Sequence, residues 1–178
     1  MSAGTSPNLS VTSLFADRDA HRRRDREAAE QLQRQKEEEL AAFKKRLNDF
    51  HLTDDVIEAN LGRIRRAFER GETELMIASF PSSFCSDDGR AIINAGAPPI
   101  NKPTKEELAA KAAKGDEPDW LATLPAGAHE VYRYWKEHLQ PGGFGFSARI
   151  INYPDGMPGD VGLFFSWPKD SDESVAAT

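Results

Sequence analysis

From Asp17 to Phe50 the chain runs without one glycine or proline. The stretch is filled with Ala, Arg, Glu, Gln, Lys and Leu, which lose least on entering a helix. At about 1.5 Å per residue a continuous helix here is about 50 Å long. Its apolar seam sits at one end. Leu40, Phe43, Leu47 and Phe50 recur at spacings of three and four, while the equivalent upstream positions hold Ala29, Gln33 and Lys36. The heptad is therefore not sustained, which argues against a long coiled coil. The pattern predicts a C-terminal half that docks and an N-terminal half that projects into solvent. Its charges read as a solvated face laced with i,i+4 pairs such as Glu30–Arg34.

Thr53 ends the connector after this helix as a natural N-cap, with Asp54 and Asp55 in the favourable first turn. Ile57, Leu61, Ile64 and Phe68 form the stripe of a second helix, and Gly71 suits its C′ position. The two helices are expected to fold back as a hairpin. Residues 74–80, ELMIASF, read as a first strand, and 90–94 as a short helical turn. Residues 97–119 read as a connector insertion. Within it, Thr104 and Glu107 have capping-box spacing and predict a helix over 105–114. Trp120 and Leu121 are the expected anchors of the stretch DEPDWLATLPAG. Pro125 starts a helix with the stripe Ala128, Val131, Tyr132, Trp135 and Leu139, stopped by Pro141-Gly142-Gly143. FGFSARIINYP and VGLFFSWP, residues 144–154 and 161–168, read as two strands around the Asp155–Asp160 turn.

The order is α-α-β-α-α-β-β, an α+β fold. It predicts a long N-terminal helical arm and a small three-stranded mixed sheet packed by helices. Strands one and two are expected to run parallel through a right-handed crossover, with strand three returning antiparallel. The divisions are a disordered leader (1–14), a charged arm of two helices (15–71), a small α+β domain (72–168) and a disordered acidic tail (169–178).

Charge is unevenly placed. Residues 17–70 carry a net +1 and residues 71–178 a net −7, within a total of −6. No apolar run is long enough to span a membrane. The N-terminus lacks the basic-then-apolar pattern of a secretory signal, and a single cysteine forms no internal disulfide. These features fit the cytoplasm. No Walker A, dinucleotide loop, C-x-x-C or paired-histidine motif occurs, and no cofactor is implied.

Three candidate sites remain. Cys85, just after the first strand, is a candidate nucleophile with His129 as its base. Neighbouring Asp87 and Asp88 oppose a reactive thiolate, and the plainer reading is a packed cysteine beside a turn. Asp87, Asp88, Asp155 and Asp160 would gather at one sheet edge if strands one and two point the same way, a candidate site for a hard cation. The plainer reading is Asp-Gly turn chemistry. Arg22, Arg23, Arg24 and Arg26 could contact phosphate or a protein partner, although acids offset them. With no catalytic set complete, the leading expectation is a non-enzymatic protein-interaction or accessory module that engages a protein partner or self-associates through the N-terminal helix. The alternatives are an enzyme using Cys85 or the carboxylates, and a nucleic-acid accessory protein working through the arginines.

Overall fold

The computed structural model describes residues 9–96, 105–106 and 117–169. Of the expected 105–114 helix only Lys105 and Glu106, both helical, are described; the rest of it, most of the connector insertion, most of the leader and most of the tail lie outside the described residues. The elements are α1 (Val11–Asn48), α2 (Asp54–Glu69), β1 (Glu74–Pro81), α3 (Arg90–Gly96), α4 (Ala126–Tyr134), β2 (Gly145–Ile150) and β3 (Asp160–Ser166). The fold is α+β, with a three-stranded sheet. Among the described residues no helix is long and apolar enough to cross a membrane.

The chain divides into two compact units, residues 1–45 and 46–178. The first is most of α1. This helix begins at Val11, inside the stretch expected to be disordered leader. Ser10 is the reason: its Oγ accepts from the Ser13 amide at 3.1 Å, and Ser13 Oγ accepts from the Ser10 amide at 3.2 Å. That reciprocal cap satisfies two end donors. No residue of α1 is buried. The expected Glu30–Arg34 ion pair is replaced by a bond from Arg34 Nε to the Glu30 backbone carbonyl at 3.4 Å. His21–Asp25, at 3.3 Å, and Gln33–Glu37, at 2.9 Å, do make i,i+4 contacts.

In the second unit, α2 is closed at both ends as the sequence indicates. Thr53 Oγ1 accepts from the Val56 amide. Gly71 takes φ +78°. The Gly71 amide donates to Phe68 O and the Glu72 amide to Ala67 O, the paired bonds of a Schellman stop. Downstream, α4 widens into a π turn over Trp135–Leu139, tightens through Gln140–Gly142 and ends at Gly143 with φ +90°. Proline at 141 has no amide to continue the ladder.

The sheet order is β1-β3-β2, and both pairings are antiparallel. The expected mixed sheet is thus corrected. β1 and β2 do point the same way, but β3 lies between them instead of beside β2 alone. Burial explains the order. Val161 to Phe165 of β3 are buried in succession, as a strand covered on both faces must be. β2 alternates Phe146, Ala148 and Ile150 with Ser147 and Arg149, which suits an edge with one wet face.

One face of the sheet carries Phe80, Val161, Leu163, Phe165 and Phe146. Here Phe146 meets Trp120, Tyr132, Trp135 and Phe165 at ring-centroid distances of 5.6–6.0 Å. Residues of α2, α4, β1 and β3 also border an apolar hollow of about 310 Å³. The other face holds Phe164, roofed by the Arg149 guanidinium at 3.7 Å from its ring centroid. Arg149 continues to Glu74 in a two-pronged ion pair, which holds the Glu74 carboxyl below its usual pKa. Gly162 is bare because the Phe164 ring and Ile151 lie where a Cβ would stand, each 2.7 Å away.

The end of α1 and its connector belong to this unit. Asn48 Oδ1 accepts from the Ala126 amide at the start of α4. Glu130 of α4 accepts from the Leu52 amide at 3.0 Å and pairs with His51 at 3.1 Å. A Cβ on Gly127 would collide with the Leu47 carbonyl and approach the Phe50 Cβ to 3.0 Å.

These two glycines should behave differently. Gly71→Ala meets no neighbour within 4 Å and has only the left-handed backbone to bear. Urea unfolding should show a loss of about 1 kcal/mol. Gly127→Ala has an ordinary backbone but no space, so its loss should exceed about 2 kcal/mol. Equal losses would contradict this account of the α1–α4 junction.

Candidate functional site

The Cys85 corner is built at the end of β1. Ser82 anchors it to the loop before β3, its amide donating to Gly159 O at 2.8 Å and its Oγ to Pro158 O at 3.1 Å. One turn of 3₁₀ helix, Ser82–Phe84, follows. The Ser86 amide then donates to Thr123 O at 2.9 Å, pinning the corner to the segment before α4. Cys85 is buried between these ties. Burial, with Asp87 as the next cause, pushes its thiol pKa up to about 11, against a hydrogen bond with Thr123 that acts the other way. A thiol so placed is held as the neutral S–H, the opposite of an activated nucleophile.

His129 does not complete a pair with it. The ring Nε2 lies 3.1 Å from Leu124 O, where it can only donate. The residue lines an open hollow with Asp119, Arg133 and Lys136, and Cys85 is not part of that lining. The corner therefore reads as a packed cysteine beside a turn.

The four aspartates resolve in the same way. Asp88 and Gly89 have φ +55° and +81°, and Asp155 and Gly156 have +51° and +77°. Arg90 N donates to Asp87 O, and Met157 N donates to Pro154 O. Each Asp-Gly pair is thus the centre of a mirror-image type I turn, a conformation that favours these two residues. Asp87 spends both oxygens on backbone donors, accepting from Gly89 N at 3.0 Å and Ala91 N at 2.7 Å, and so caps α3. Asp160 and Asn152 close the β2–β3 loop reciprocally. Asp160 Oδ2 accepts from the Asn152 amide group at 2.8 Å, and the Asp160 N–H donates to Asn152 Oδ1 at 2.7 Å. The loops after β1 and β2 do leave one edge of the sheet, as the strand directions require. Their carboxylates do not converge: among the described residues no group of three or more His, Cys, Asp or Glu side chains is placed to hold a metal ion.

The arginines of the arm are exposed. At about 100° per residue Arg22, Arg23 and Arg26 fall within about 100° of one another on the helix, and Arg24 lies on another side. Arg24 turns back to the Ala20 carbonyl at 3.4 Å. The four do not make one basic face.

What motif reading missed is the outer edge of β2. It carries no reactive residue, so no motif flags it. The signal available was the regular alternation of GFSARI, with no proline, lysine or bulge to guard an edge.

No protein-family model, curated protein or solved structure gives a significant match to the chain.

The Cys85 corner has a measurable consequence. Between the unfolded thiol pKa of about 8.5 and the folded value of about 11, the unfolded chain ionises and the folded chain does not. The folded state then binds more protons, so stability falls as pH rises through this window. Wild type should lose about 2 kcal/mol relative to Cys85→Ala between pH 8 and pH 10.5 in urea unfolding. A stability difference that does not change with pH would contradict the burial of the thiol.

Proposed function

We propose that the protein is a non-enzymatic interaction module whose working element is the N-terminal helix, and that the helix self-associates as an antiparallel pair. The observation that carries the reading is a 38-residue helix, α1, with no buried residue. Val11, Leu14, Phe15, Leu32 and Leu40 are exposed on it. These apolar residues form no continuous seam, but a long helix that buries none of them leaves them for another chain to cover.

Charge order favours a second copy lying head to tail. Residues 17–26 carry a net +2 and residues 27–40 a net −3. An antiparallel pair centred on Ala28 and Ala29 sets the basic segment of each helix against the acidic segment of the other, with Arg26 near Glu30 and Arg18 near Glu38. Small residues at the crossing allow close approach. The same order disfavours a parallel pair, which would oppose like charges. The lone buried cysteine fits a cytoplasmic setting.

Sedimentation equilibrium of the full chain tests this. A concentration-dependent dimer is expected at low salt. It should weaken when ionic strength rises tenfold, and weaken further when Arg22, Arg23, Arg24 and Arg26 are all replaced by Glu. A monomer at every concentration and salt would remove the self-association reading.

A further inference from the structure

The two edges of the sheet are treated differently. In β1, the Trp167 amide donates to Thr73 O, which sets the ladder so that residues 74 and 76 face outward. That edge is guarded. Arg63 Nη2 donates to the outward Met76 carbonyl at 2.9 Å, a bulge interrupts the strand at Ile77, and Pro81 has no amide to offer. These are the devices by which sheets blunt their edges.

β2 has none of them. The Ile151 amide donates to Asp160 O at 2.9 Å, and the register runs unbroken from Gly145 to Ile150. Residues 145, 147 and 149 therefore bond to β3, and Phe146, Ala148 and Ile150 turn their amides and carbonyls away from it. Among the described residues none of these three amides or three carbonyls has a hydrogen-bond partner. A groove of about 700 Å³ runs along the strand, with Ile93, Pro118 and Trp120 bordering it beside β2.

We infer that this groove takes an extended peptide segment of a protein partner, added to the sheet as a fourth strand beside β2. Backbone chemistry selects the occupant. Three donors and three acceptors spaced two residues apart are matched by another extended backbone, not by a helix and not by a compact small molecule. At about 3.3 Å per residue the span from Phe146 to Ile150 takes a segment of about five residues. Its alternate side chains fall on the face shared by Phe146, Ala148 and Ile150, toward Trp120 and Ile93, and should be aliphatic or aromatic. The intervening ones lie on the side of Ser147 and Arg149, and should be polar. A groove of about 700 Å³ has room for one short segment rather than for the sheet of a second copy. The site is independent of the helical arm.

The probe is a displayed library of random eight-residue peptides, selected against the full chain and followed as synthetic peptides by fluorescence anisotropy. Selected sequences should alternate apolar and polar residues. N-methylation at alternate peptide positions should weaken binding at least tenfold, and at the intervening positions should leave it nearly unchanged. Ala148→Pro removes one outward donor and no bond to β3, and should also weaken binding at least tenfold. Should that variant fail to fold, the N-methyl scan on wild type decides alone. Selection of helical or non-alternating peptides, indifference to N-methylation, or no selected binder at all would each overturn the inference. Docking of a second copy through β2 would also overturn it, seen as a dimer that Ala148→Pro dissolves and that no peptide displaces.

Discussion

The buried run Val161–Phe165 sets the terms for the domain. A strand with apolar residues on both faces must be flanked by strands and roofed twice. β1 and β2 supply the flanks. The aromatic group around Phe146, drawn from α4 and the segment before it, roofs one face. The second roof is unusual in being one side chain deep. Arg149 spreads over Phe164 and reaches Glu74, so a cation, an aromatic ring and a carboxylate span the three strands where a helix would otherwise be needed. Stacking of this kind lets a guanidinium cover apolar surface while its charge stays paired and wet.

The turns serve the same strand. Both Asp-Gly pairs, the Asp160–Asn152 exchange and the Ser82 ties fix the ends of β1 and β2 that meet the start of β3. Residues that resemble chemistry when read along the chain, four aspartates and a cysteine, are spent on this closure. Asp87 offers both carboxylate oxygens to backbone donors. The Cys85 thiol is kept protonated by the packing that fixes the corner. What remains unspent is the outer backbone edge of β2 and the uncovered side-chain surface of α1.

Much of this was legible in the sequence. Thr53 and Gly71 as the ends of α2, the α4 stripe and the three strands come from local rules of capping and periodicity, which act over a few residues. The partnership of the strands did not. Parallel pairing of β1 and β2 satisfied the crossover rule, but VGLFF is apolar at every non-glycine position and GFSARI alternates, and that contrast marks the central strand and the edge. The start of α1 was hidden because Ser10 and Ser13 resemble the polar leader around them until their reciprocal cap is seen. The candidate sites were less legible for a different reason. Residue type announces reactivity, whereas burial and hydrogen-bond partners, which decide it, are set by segments far apart in the chain, such as Thr123 beside Cys85.

Amide hydrogen exchange of the full chain, resolved by residue, tests the arrangement around β3 most directly. The account predicts slow exchange along Val161–Ser166. Along β2 it predicts alternation, with Ser147 and Arg149 protected and Phe146, Ala148 and Ile150 exchanging rapidly. Uniform protection along β2, or rapid exchange within β3, would contradict a central β3 flanked by one guarded and one open edge.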